Sequence, residues 1–203
     1  MAHSPRLKSI AARVDAFVVG ASAGGIEALS DILPYLGEQA PRPVIVVVHL
    51  PSDAASLLVP IFRAKCAHAV VEVEDKCSIA ASTIYFGPPD YHLLVERDRT
   101  LALSVDAPVH HSRPSIDVLF ESAAFAYADR VAGVVLSGAN EDGADGLAAI
   151  ARIGGITIVQ DPNTAIVPEM PRAALRASNA NFVASAAEIS VLMGGFPSVG
   201  GMR

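Results

Sequence analysis

The stretch AFVVGASAGGIEAL, residues 16–29, decides the fold. Ala16 to Gly20 read as a short buried strand, and the run that follows takes helical spacing, with Ile26, Leu29, Leu33 and Leu36 on one face. Between strand and helix lies Gly20-Ala21-Ser22-Ala23-Gly24, a G-x-S-x-G turn. A strand feeding a helix through such a turn is the opening unit of a parallel sheet covered by helices. The glycines remove Cβ atoms that would clash in so sharp a turn, which pushes Ser22 out at the carboxyl end of the sheet. The motif alone leaves three readings open: a nucleophile elbow with the Ala23 N–H as an oxyanion donor, a glycine-rich cradle for a dinucleotide phosphate, and a serine that merely caps the helix.

Working outward, VIVVVHL from Val44 is an unbroken β-branched run that suits a strand buried on both faces. A helix is expected over Ala54 to Lys65, with Pro60 kinking it or beginning its regular part. TIYFGPPDYHLLVERDRTLALSV, residues 83–105, changes the rhythm: three short strand-like pieces read as an antiparallel hairpin at the sheet edge. Ser115 or Asp117 can cap a helix running to about Asp129. VAGVVLSG and ITIVQ are further buried strands, separated by the exit loop ANEDG and the helix ADGLAAIARI, which Gly154 and Gly155 end. The helix PRAALRAS, the strand NFVAS and a last helix capped by Ser185 with Glu188 complete the chain.

The bulk properties agree with one domain. The chain has 203 residues, 52% hydrophobic, 5% aromatic and without Trp. A formal net charge of -6 speaks against nucleic acid or an acidic membrane surface as the main partner. No apolar run approaches the roughly 20 residues that span a bilayer. The N-terminus MAHSPRLKSIAAR lacks an apolar signal core, so no membrane insertion and a cytoplasmic location are expected. Residues 1–14 read as an arm, 15–193 as the domain and 194–203 as a Gly-rich flexible tail. Cys66 and Cys77 have no ligand-like spacing and read as free thiols.

A serine nucleophile needs a base, and His49 stands at the end of the next strand, on the same sheet edge as Ser22. A dinucleotide fold would want an acidic residue there. The chain also has no Tyr-x-x-x-Lys pair: Tyr35, Tyr85, Tyr91 and Tyr127 are followed at that spacing by Gln39, Pro89, Val95 and Val131. The NAD(P)-dependent reductase reading therefore loses most of its weight. Glu141, Asp142 and Asp145 follow the strand VAGVVLSG; Asp142 is best placed to accept the His49 Nδ1–H, and Asp145 reads as a helix cap. His3, His68, His92, His110 and His111 show no ligand spacing with carboxylates or cysteines, so no metal is expected, and a serine hydrolase route needs no organic cofactor.

VVGASAGGIEAL, VVVHLP, HSRPSIDVLF, GVVLSGANEDGADGL and EMPRAAL, in that order, resemble the catalytic domain of the CheB protein-glutamate methylesterases over roughly residues 15–193. The resemblance implies an α/β fold: a doubly wound, mostly parallel sheet with helices on both faces and an antiparallel edge hairpin. It implies hydrolysis of glutamate methyl esters on chemoreceptors, deamidation of certain glutamines there, and no cofactor. Ser22 takes the nucleophile's place, His49 the base's and Asp142 the orienting acid's; Ala23 and Ala139 stand where oxyanion donors are expected. Arg113 and Ser115 fall near the family's cleft as candidate substrate contacts. Longer members carry an amino-terminal receiver domain, where this sequence has about fourteen residues, so three expectations stand: constitutive activity, control by a separate receiver protein, or a sequence that is a piece of a larger protein. Ala23 stands where Thr is common, and Gly138-Ala139-Asn140 where Gly-Met-Gly is common, with Asn140 suited to a left-handed turn. Val167-Pro168-Glu169 replaces a commonly aromatic-Gly pair. The competing expectation is a catalytically weak regulatory module of the same ancestry, or a hydrolase of a different ester.

Overall fold

The computed structural model describes residues 10, 13–37, 41–50 and 57–194. Seven strands, β1 (Ala16–Ala21), β2 (Val44–Val48), β3 (Ala69–Glu72), β5 (Thr83–Phe86), β8 (Val131–Val135), β9 (Ile156–Gln160) and β10 (Phe182–Ala184), form one sheet in the order β10-β9-β8-β1-β2-β5-β3. Every pairing in it is parallel. β4 (Cys77–Ser78), β6 (His92–Val95) and β7 (Thr100–Ser104) make a separate antiparallel sheet in the order β4-β7-β6.

Parallel strands need crossovers, and the helices that supply them cover both faces. Successive side chains on a strand point to opposite faces, so the sheet carries two cores. On one face Phe17, Val19, Val44 and Val46 meet α1 (Gly25–Ile32), α2 (Leu58–Arg63) and α6 (Ala186–Leu192). On the other, Ala16, Val18, Ile45 and Val47 meet α3 (Ile116–Tyr127), α4 (Ala144–Arg152), α5 (Glu169–Ala177) and the small sheet. Each fully buried Phe, Leu or Ile in these cores contributes about 1.5–3 kcal/mol of transfer free energy. Phe62 of α2 stacks on Phe86 of β5 with ring centroids 5.4 Å apart, a geometry worth about 0.5–1.5 kcal/mol more.

Several details depart from the sequence expectation. Thr83–Phe86 is no part of a hairpin; it is buried throughout and lies parallel between β2 and β3, while the hairpin β6–β7 belongs to the small sheet rather than to the edge of the large one. The edge strand β3 escapes a hydrophobicity reading because Ala69 and Glu72, two of its four residues, are exposed. Ile26 is 36% exposed; α1 instead buries Gly25, Ala28, Leu29 and Ile32, one residue-step around the helix. α2 begins at Leu58, which puts Pro60 in the first turn, where a missing N–H has no intrahelical partner to lose; residues 51–56 of the expected helix lie outside the described residues. Ile10 and Val14, within the expected arm, are buried in the first core. The tail beyond Gly194 also lies outside the described residues. Asn140 takes no left-handed conformation; its Oδ1 accepts the Asp142 N–H at 3.3 Å, an Asx-type turn, and Gly143 carries the positive φ of 96° instead. The Ser185–Glu188 capping box is present.

Candidate active site

β1 lies between β8 and β2, and Ser22, His49 and Asp142 follow these three neighbouring strands at their carboxyl ends. Ala21 pairs with Val48, so Ser22 and His49 leave the sheet side by side, and the His49 N–H donates to the Ala21 carbonyl at 3.0 Å. On the other flank the Ser22 N–H donates to the Ser137 carbonyl at 2.9 Å. Ser22 does not cap α1. The cap is Gly24, at φ 73°, and among the described residues the Ser22 hydroxyl makes no hydrogen bond. Nor does the Ala23 N–H find a backbone acceptor among them.

Asp142 is fully buried and accepts four hydrogen bonds. Its Oδ1 takes the Ser115 hydroxyl at 2.8 Å and the Asp117 N–H at 3.0 Å; its Oδ2 takes the Ile116 N–H at 2.7 Å and His49 Nε2 at 2.8 Å. The carboxylate thus sits on the amino-terminal end of α3, where unpaired N–H groups and the helix dipole favour negative charge. Burial acts to raise the Asp142 pKa, but these donors, His49 foremost, outweigh it and hold the carboxyl below its ordinary value.

The His49 contact corrects the expected tautomer. Asp142 bonds Nε2, not Nδ1. β2 and β8 flank β1 on opposite sides, so the imidazole must reach across the exit of β1, and its distal nitrogen spans the gap. The proximal Nδ1 is left to accept a proton.

The other expected site residues divide. Ser115 is no substrate contact: its side chain is fully buried, caps α3 by accepting the Val118 N–H at 3.4 Å, and donates to Asp142. Arg113 lines a cleft of about 480 Å³ with His49, Leu50, Asp90 and His111. Its guanidinium is already committed, donating to Asp90 Oδ1 at 2.6 and 3.0 Å and to the carbonyls of Val105 and Asp106. Ala139 lies exposed in the loop between β8 and Asp142, and its N–H has no backbone acceptor among the described residues.

Two buried residues to which sequence reading gives no place in the site complete the surroundings. His92 Nδ1 accepts the Ser115 N–H at 3.2 Å while Nε2 donates to the Ala107 carbonyl at 3.1 Å, tying the small sheet to the start of α3. Asp117 accepts the Gly143 and Gly146 N–H groups at 2.9 and 2.7 Å and clamps the Asp142 loop to α3. Its carboxylate also faces His110 Nε2 at 3.4 Å, and with Asp145 these groups bring ligand-type atoms within 4.8 Å of one another, a gathering that sequence spacing does not reveal.

Burial raises the Asp117 pKa; the Gly146 N–H pulls it down and the Asp142 charge pushes it up again, leaving it at about 7. An unfolded aspartic acid loses its proton near pH 4, whereas folded Asp117 keeps it to about 7. The stabilisation from that proton is complete below about pH 4 and is lost as pH rises to about 7. Asp117→Asn keeps an acceptor for the two glycines and removes the titration. The wild-type melting temperature should therefore fall relative to the variant's between pH 4 and about 7; a gap that stays constant with pH would refute this.

A parallel α/β sheet that carries a serine, a histidine and a buried aspartate past three adjacent strands defines an α/β protein with a hydrolase-type edge. Comparison with known proteins narrows the class. The CheB methylesterase profile matches residues 17–193, and the chain belongs to that family. A putative protein-glutamate methylesterase/protein-glutamine glutaminase of Leptospira interrogans is 43% identical over 178 residues, covering 88% of this chain and 92% of that protein. A protein-glutamate methylesterase/protein-glutamine glutaminase of Symbiobacterium thermophilum is 37% identical over 76% of this chain but only 43% of its own length. The crystal structure of the Thermotoga maritima CheB methylesterase catalytic domain superposes with a TM-score of 0.84 at 28% identity, covering 89% of this chain and 98% of that one.

Proposed function

We propose that this chain removes methyl esters from glutamate side chains of a chemoreceptor or related signalling protein, and deamidates glutamines there, through an acyl-enzyme on Ser22. The observation that carries the reading is the 2.8 Å contact between His49 and buried Asp142, at the edge where Ser22 leaves β1. His49 Nδ1 takes the Ser22 proton as Oγ attacks the ester carbonyl. Asp142 holds the tautomer that leaves Nδ1 free and stabilises the imidazolium that forms. N–H groups at the start of α1, Ala23's first, and one near Ala139 face the developing oxyanion. The imidazolium then protonates methanol as it departs; for glutamine the leaving group is ammonia. Water, deprotonated by His49, attacks the acyl carbon and releases glutamate and Ser22.

No helix among the described residues is long and apolar enough to cross a membrane. A substrate on the cytoplasmic side of a receptor suits a chain of this kind. The test is methanol release from methylated chemoreceptor membranes by the wild-type protein. Release supports enzyme and substrate together. Turnover of a small carboxylic ester without release from receptors would keep the hydrolase and discard the substrate.

A further inference from the structure

Ser137 takes no part in the scheme above, yet it is fully buried and touches three segments that meet behind Ser22. Its N–H donates to Gln160 Oε1 at 2.9 Å, and its carbonyl accepts the Ser22 N–H. Its hydroxyl accepts the Val167 N–H at 2.9 Å and donates to the Ala23 carbonyl at 2.7 Å, with the Val167 carbonyl a weaker second acceptor at 3.3 Å.

The Ala23 contact falls on the sensitive point of the nucleophile turn. The Gly25 N–H donates to the Ser22 carbonyl at 2.8 Å, Gly24 has φ 73° and ψ 6°, and Ala23 is not among the residues of positive φ. This is a type II turn, which differs from type I by a flip of the peptide between its two central residues, here Ala23 and Gly24. The Ser137 hydroxyl holds that peptide by its carbonyl. Because the peptide is planar and trans, fixing the Ala23 carbonyl also fixes the Gly24 N–H on the opposite side. A flipped peptide would turn the Ala23 carbonyl away from Ser137 and redirect the backbone next to Ser22. The site admits no substitute for Gly24: a Cβ there would lie 2.6 Å from Ile166 Cβ and 2.7 Å from Ser137 Oγ.

We propose that Ser137 is a positioning residue of this enzyme, whose buried hydroxyl keeps the Ser22–Gly25 turn in its type II form and thereby aims Ser22 and the N–H groups beside it. The inference rests on Ser22 being the nucleophile. Gln160 supports it by holding the Ser137 backbone, and Ile166 lies beside the turn at Gly24.

The test compares wild type, Ser137→Ala and Ser137→Thr, by the rate at which a fluorophosphonate labels Ser22 and by kcat and KM for a small ester. Misplacing a reacting group by about 1 Å costs up to roughly 100-fold. Ser137→Ala should therefore lose about 10- to 100-fold in labelling and kcat, with KM little changed. Ser137→Thr, which keeps the hydroxyl, should recover most of the loss. If Ser137→Ala does not fold, Ser137→Cys, similar in size but a weak donor, takes its place with the same expected loss. A wild-type labelling rate in the hydroxyl-free variant overturns the inference and leaves the nucleophile standing. Equal losses in the Thr and Ala variants, tracking a fall in melting temperature, also overturn it, since the role would be structural. Wild-type protein that is itself unlabelled overturns the reading of Ser22, and this inference with it.

Discussion

Ser22→Ala is expected to lower kcat for a small carboxylic ester by roughly 10⁵- to 10⁶-fold, the scale seen when the nucleophile of a serine–histidine–aspartate unit is removed. The same substitution should leave stability within about 0.5 kcal/mol of wild type. The second expectation follows from geometry. Among the described residues the Ser22 hydroxyl makes no hydrogen bond, and the backbone bonds that hold the turn, Ser22 N–H to Ser137 and Gly25 N–H to Ser22, do not involve it. Unchanged melting with lost turnover separates this residue from its neighbours, whose side chains hold structure as well. The measurements are kcat from initial rates and the melting temperature. Turnover in Ser22→Ala within about tenfold of wild type would remove Ser22 as nucleophile and leave His49 and Asp142 to act on water directly.

The sheet edge was readable because each of the three residues follows an apolar or β-branched strand. A parallel sheet sends all its strand ends to one side, so order along the chain translates into proximity. What lies behind that edge was not readable, because it depends on which helix start meets which loop. Asp117 reads as a first-turn capping residue. It is buried because the start of α3 faces the start of α4, where the Gly143 and Gly146 N–H groups need an acceptor. Ser115 looks like a helix cap and is one, but nothing in RPSID says that its hydroxyl also meets a carboxylate 27 residues further on. Ser137 looks like the end of a strand. The nitrogen His49 offers to Asp142 follows from strand order in space, β8-β1-β2, which a linear reading does not supply. The resemblance carried the overall topology well; it is the reading of residues 83–105 as three like pieces that the structure divides, with Thr83–Phe86 in the large parallel sheet and β6–β7 in the small antiparallel one.

The Asp142 carboxylate serves two masters, and Asp142→Asn tells them apart. Its four donors leave no place for an amide NH₂. If the nitrogen takes the Oδ2 position, it meets the Ile116 N–H, donor against donor, and can face His49 only by donating to Nε2. The imidazole proton must then move to Nδ1, the atom that the proposed mechanism assigns to accept the Ser22 proton. If the nitrogen takes the Oδ1 position, it opposes the Asp117 N–H instead. Either way α3 loses a charge at its amino terminus and one of its first N–H groups loses its acceptor, for a stability loss of about 2–4 kcal/mol. The catalytic loss depends on which nitrogen of His49 is forced to carry the proton. With the wrong tautomer imposed, kcat should fall by roughly 10⁴-fold. Both quantities are measurable on one preparation, kcat with a small ester and stability by denaturant titration. A large fall in stability with near wild-type turnover at a temperature where the variant is folded would make Asp142 only the anchor of α3. The expected outcome, loss of both, assigns one buried carboxylate to the helix terminus and to the histidine at once, and explains why the chain commits Ser115, Asp117 and the first turn of α3 to holding it.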